Sequence, residues 1–89
     1  MTREKFVSSL DSFAVSANSI EIVTPRLSLR IDDNFKEVSY NPNKNELRIS
    51  YNDDMTLIKS KLASTIKVIK DPCYTRYDLN ENISIVIYD

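Results

Sequence analysis

Tyr74, Arg76 and Tyr77 put two phenol rings and a guanidinium within one short segment. Tyr and Arg combine contact area with hydrogen bonding, which suits a protein interface. The same side chains can stack on bases and bind phosphates of a single strand. The plain structural alternative is that the rings fill core or edge space while Arg76 is solvated. Tyr88, beside an apolar run, reads as an interface anchor, whereas the parity of Tyr40 and Tyr51 places them at the rim of a core with wet hydroxyls.

Other chemistry-bearing groups have ordinary explanations. Asp32-Asp33 and Asp53-Asp54 offer oxygen ligands, but neither pair has calcium-loop spacing. Turn and N-cap roles account for all four acids. Cys73 has only Lys70 and Arg76 as nearby cations in sequence and no histidine to generate a thiolate, so an inert thiol is expected. Ser60 is flanked by Lys59 and Lys61, whose side chains diverge from it on a helix.

Three absences narrow the field further. The 89 residues contain no Gly, no His and no Trp. Without Gly there is no phosphate-cradling loop and no nucleophile elbow. Without His there is no His-based triad, His metal ligand or histidine switch. A single Cys rules out an intrachain disulfide and a Cys-cluster zinc site. No metal and no cofactor are therefore expected. No general base with an orienting partner emerges, and a non-enzymatic chain is the expectation.

Twelve Lys and Arg against thirteen Asp and Glu leave a net charge of −1. A general nucleic-acid binder carries a basic excess, which this chain lacks. The start of the chain has no apolar run of signal-peptide type, and no stretch is long enough to span a bilayer. One unpaired Cys fits a reducing compartment. These features point to a cytoplasmic protein without membrane contact. The abundance of Ile, Asn, Lys, Tyr and Ser suggests an A/T-rich genome and a small accessory protein of the viral or phage kind.

The elements that must position these residues follow from periodicity. Phe6, Leu10, Phe13 (or Ala14) and Ala17 form one stripe of a helix over residues 3–17. Thr2 is its expected N-cap and Asn18 a left-handed C-cap. From residue 20 to 51 the period is two. Four strands are expected at 20–23, 26–31, 36–41 and 46–51, with Ile20, Ile22, Leu27, Leu29, Ile31, Val38, Tyr40, Leu47, Ile49 and Tyr51 inward. Pairing Ile22 with Leu27, Ile31 with Lys36 and Asn41 with Glu46 leaves three four-residue loops and a meander. Such loops, built on type I turns, need no obligatory Gly. This register sets Arg30 opposite Glu37, with Arg48 diagonal to Glu37.

Met55, Ile58, Leu62 and Ile66 then predict a second helix over residues 53–65, capped by Asp53. Strands are expected over 65–70, 74–79 and 83–88. In the last, Ile83, Ile85 and Ile87 fill one face while Val86 and Tyr88 occupy the other. A strand apolar on both faces is either central and covered or paired with another chain.

The whole predicts a single small α+β domain over residues 1–89, with helices packed on one face of an antiparallel sheet. The expected function is a non-enzymatic binding or regulatory module. It would act by protein–protein contact, as a homodimer or larger oligomer through the C-terminal strand, for instance as an inhibitor of a host protein. Its partner-binding residues are expected to be Tyr74, Arg76, Tyr77, Ile83, Ile85, Val86 and Tyr88. The alternative is a single-stranded nucleic-acid binder that adds Arg26, Arg30, Lys36 and Arg48 to the Tyr/Arg cluster.

Overall fold

The computed structural model describes residues 1–16, 18–32, 35–51 and 53–88, with side chains at all of these except 14–16 and 35. The expected Ala14 and Ala17 packing and the Asp33 turn role lie outside that description. Among the described residues the chain forms one helix and eight strands. They are α1 (Arg3–Ser16), β1 (Ser19–Val23), β2 (Ser28–Ile31), β3 (Phe35–Asn41), β4 (Glu46–Tyr51), β5 (Asp54–Lys59), β6 (Lys67–Lys70), β7 (Tyr74–Asp78) and β8 (Ser84–Tyr88). The strands make two antiparallel sheets, of order β2-β1-β8-β7-β6 and β3-β4-β5. This corrects the expected α+β arrangement of two helices on a single four-stranded meander.

α1 starts as its sequence directs. Thr2 Oγ1 accepts the Lys5 amide at 3.1 Å, satisfying a first-turn donor. Phe6, Leu10 and Phe13 are buried along one stripe. Asn18 does not adopt a left-handed cap. Its amide donates to the Tyr88 carbonyl at 2.9 Å, and among the described residues only Asn45 has positive φ, at 49°.

The β3–β4 hairpin has the expected register, with Asn41 opposite Glu46. Asn41 Oδ1 accepts the Asn43 amide at 2.9 Å, and the Asn41 carbonyl accepts the Lys44 amide at 3.3 Å. Asn45 supplies the left-handed residue, a conformation Asn tolerates better than most residues. The β1–β2 hairpin is shifted by two residues, with Ile22 opposite Leu29. Thr24 and Leu27 exchange backbone hydrogen bonds around Pro25-Arg26, so the loop is tighter than four residues. Pro25 presets the backbone for that turn.

β2 and β3 do not pair, because the chain passes from one sheet to the other between them. Arg30 therefore stands opposite Glu21 and not Glu37. Arg48 is opposite Ser39, which keeps Glu37 diagonal to it. Lys36, expected on the inward parity, is exposed at the β-bulge between Phe35 and Glu37.

The expected second helix is strand β5 followed by an irregular segment. β4 offers a free edge whose backbone groups a helix would leave unpaired, and as a strand the segment turns Thr56 and Ile58 inward and leaves Met55 and Leu57 exposed. β5 takes that edge, with Leu57 opposite Arg48 and Ile58 opposite Leu47. Leu62 and Ile66 are still buried, carried inward by the segment after the strand. Helical spacing and burial therefore coincide there without a helix.

The core lies between the two sheets and beneath α1. Ile20, Ile22 and Ile31, together with Ile85 and Ile87, face Val38, Leu47 and Ile49 within one buried cluster. Phe6, Phe13 and Tyr77 form an aromatic knot, with the Phe rings 5.4 and 5.3 Å from Tyr77. α1 also packs on β3, and Arg3 hydrogen-bonds through its amide to the Ser64 carbonyl and through Nη1 to the Leu62 carbonyl. The helix thereby closes one side of the molecule. Opposite, β2 and β5 are both edge strands with no pairing between them.

Candidate interaction surface

Strand alternation divides the sequence-predicted residues between two faces of the five-stranded sheet. Arg76 has Val86 as Cα partner, and Tyr74 has Tyr88. All four share the outer face with Glu21 and Arg30. Tyr77, Ile83 and Ile85 point to the opposite side, where Ile83 and Ile85 belong to the core cluster and Tyr77, partly buried, packs against it. β8 is the central strand, hydrogen-bonded to β1 and β7, so both of its edges are occupied. Strand-to-strand pairing of β8 with another chain is therefore corrected. On its outer face Tyr88 is half-buried and Val86 is buried among its neighbours.

Side chains on this face are fixed by one another. The Arg30 guanidinium lies over the Tyr88 ring, 4.4 Å from its centroid. A cation so placed is held by the ring quadrupole. Tyr88 donates its hydroxyl proton to Glu21 Oε1 at 3.0 Å, and Ser28 donates to Oε2 at 2.6 Å. The Ser28 bond, then the Tyr88 bond, holds the Glu21 carboxyl below its ordinary pKa. Correspondingly, the proton given to Glu21 raises the pKa of Tyr88. Tyr74 leans on Tyr88 with ring centroids 6.0 Å apart.

Two matching clusters frame this arrangement. Arg30 donates through Nε to Asp32 at 2.9 Å and through Nη2 to Ser19 at 3.2 Å. Arg76 donates through Nε to Asp78 at 2.8 Å and through Nη2 to Ser84 at 3.2 Å. Ser84 in turn donates to Asp78 at 2.7 Å, and this bond, with the Arg76 bond, lowers the Asp78 pKa. Both arginines remain about half exposed, at 51% and 43% of the side chain. Their forks are thus preset while part of each guanidinium stays available.

The two clusters are related by a local two-fold between β1 and β8, whose centre is the Glu21–Val86 pair. Sequence reading finds no internal repeat, yet the signal is present. Ser19-Ile20-Glu21-Ile22 and Ser84-Ile85-Val86-Ile87 share the order Ser-Ile-x-Ile, and Arg30-x-Asp32 matches Arg76-x-Asp78. The strand order pairs each Arg-x-Asp segment with its Ser-Ile-x-Ile segment, which sequence distance conceals.

The remaining candidates are dispersed. Arg26 and Arg30 lie by the five-stranded sheet, whereas Lys36 and Arg48 lie on the three-stranded one, so no common basic face forms. Cys73 is exposed and free, and its amide donates to Asp71 Oδ1 at 3.1 Å. Among the described residues no three His, Cys, Asp or Glu side chains converge as a metal site, and no helix is long and apolar enough to cross a membrane. Tyr40 and Tyr51 sit at the core rim; their hydroxyls meet Asn45 Oδ1 and Thr56 Oγ1.

Comparison with protein-family models, with curated protein sequences and with solved structures yields no match. The chemistry of the outer face is therefore the ground for a functional reading.

Proposed function

We propose that this chain is a non-enzymatic binding module that acts by protein–protein contact through the outer face of its five-stranded sheet. The observation that carries the reading is the preset Tyr/Arg arrangement around Val86. Val86 is only 6% exposed, although among the described residues no second sheet or helix covers that face. The side chains that enclose it, Tyr88 and Arg76 among them, are of the types that dominate binding energy when a partner excludes water. Their mutual hydrogen bonds reduce the ordering cost of association.

A second copy of the chain fits this face. Arg30, Lys67 and Arg76 balance Glu21, Asp32 and Asp78, so two such faces do not repel as a single-signed surface would. The same balance weighs against a polyanion, because each arginine already carries a carboxylate. The exposed thiol of Cys73 supports a reducing, cytoplasmic setting.

Light scattering on the eluting protein at micromolar concentration tests the reading. The expected result is a dimer or larger species that becomes monomeric in Tyr74→Ala and in Ile69→Glu, both at the rim of the face. A monomeric parent removes self-association. Retained oligomers in both variants remove this face as the interface. Salt-sensitive binding of a labelled single-stranded oligonucleotide would replace the protein reading by the nucleic-acid one.

A further inference from the structure

On the side of the molecule away from α1, the edges of β2 and β5 border an open seam. Two adjoining clefts, of about 480 and 340 Å³, run along it and share Thr24, Ile58, Lys59 and Ile83. Their floor is apolar, formed by Ile22 and Ile83. Leu27 and Leu29 rise on the β2 side and Leu57 on the β5 side, and they are 66%, 45% and 46% exposed. Solvent-facing leucines flanking two free strand edges are a costly arrangement for a chain that stays alone.

The charged side chains that line the two clefts are cations, and Glu46 stands across from Lys59 on β4. Arg26 lines one cleft and Lys59 lines both, and no Asp or Glu lines either. Among the described residues neither cation has an ion-pair partner. This contrasts with the outer face of the five-stranded sheet, where each arginine is neutralised.

We propose that the seam is a second binding site, which takes an extended segment of a partner protein in which apolar residues alternate with acidic ones. The segment lies along the free edge of β5 and hydrogen-bonds to its outward backbone groups, as an added antiparallel or parallel strand does. Alternate side chains of such a strand point to opposite sides. One set enters the apolar floor over Ile22, Ile58 and Ile83. The other lies on the side of Leu57 and Lys59 and places carboxylates beside Lys59 and Arg26. The site is separate from the outer sheet face and does not depend on it.

Selection of a random linear-peptide phage library on the full chain tests this, with backbone amide NMR shifts to locate the bound peptides. The expected result is enrichment of alternating apolar and Asp/Glu sequences whose shifts map to residues 54–59 and 27–29. Their affinity should fall about ten-fold or more in Lys59→Glu and in Leu57→Lys and persist in Lys59→Arg. Because these side chains are exposed, the variants should retain the parent spectrum elsewhere. Enrichment of basic or uncharged peptides overturns the proposal, as does the absence of any enrichment. Peptides that map to Tyr74 and Tyr88 overturn it too, while leaving the outer-face reading intact. A dimer abolished by Leu57→Lys would assign the seam to a second copy and would also overturn it.

Discussion

The two sides on which the sheets approach each other are built from similar apolar residues but finished differently. On one side α1 inserts Phe6, Leu10 and Phe13 over β3 and β7, and the aromatic knot with Tyr77 is buried. On the other, Leu27, Leu29 and Leu57 stand exposed at the strand edges, with no described element laid across them. Covering one side and leaving the other open separates stability from recognition. Residues on the closed side should dominate the folding free energy, and those on the open side should be nearly silent until a partner arrives.

The largest test of that difference is Phe6→Ala. Phe6 is fully buried and contacts both Phe13 and Tyr77. Its loss should cost about 3–5 kcal/mol by urea unfolding, the range for a large aromatic removed from a core. A cost below 1 kcal/mol would mean that α1 does not close the sheets as described.

Asn45→Ala probes the hairpin that supports the same side. Asn45 holds positive φ, its side chain accepts from Tyr40, and its carbonyl accepts the Ser60 amide at 2.8 Å. Tyr40 and Pro42 in turn face Arg3, Glu4 and Val7 of the helix across a shallow cleft. The left-handed backbone alone makes Ala unfavourable by about 1–2 kcal/mol. Thermal melting should show the loss, and Asn45→Gly should recover most of it.

A third test turns to the two hydrogen-bonded carboxyls of the outer sheet face. Hydrogen bonds from Ser28 and Tyr88 lower the Glu21 pKa, and those from Ser84 and Arg76 lower that of Asp78. A carboxyl with a depressed folded pKa stabilises fully above its unfolded value of about 4, and that contribution is lost as pH falls through the folded value. Unfolding free energy should hold between about pH 5 and 7 and decline below about pH 4. Asp78→Asn should flatten part of that decline. An unchanged acid limb in Asp78→Asn and Glu21→Gln would show that these bonds do not form in solution.

Much of this division was legible in the residues. The α1 stripe, the β3–β4 register at Asn41-Pro42 and the two-sided apolar character of β8 all follow from local pattern. Local pattern misdirected Met55–Ile58 to a helix, because Met55 and Ile58 have helical spacing and the free edge of β4 that the segment takes is a tertiary fact. It also could not separate β2 from β3, since a hairpin and a crossing between sheets use the same turn residues. The partner set divided for a related reason. Alternation correctly puts Val86 and Tyr88 on one face and Ile83 and Ile85 on the other, but only the strand order shows that Tyr74 and Arg76 join the first pair while Tyr77 joins the second. Leu27 and Leu29 have inward parity yet lie exposed, because parity sets a direction and not whether anything lies there to cover the side chain.

The smallest expected effect is therefore the most informative. Leu29→Thr and Leu57→Thr place a β-branched strand former at positions already about half exposed. Each should change the unfolding free energy by no more than about 0.5 kcal/mol. Conserved-size cavities are not created there, because water already reaches both side chains. If either substitution costs as much as Asn45→Ala, the open side is holding the sheets together and the contrast with the closed side fails. If both are silent in folding but abolish peptide binding at the seam, the leucines are retained for what they bind, and the two sides of the core differ in purpose as well as in cover.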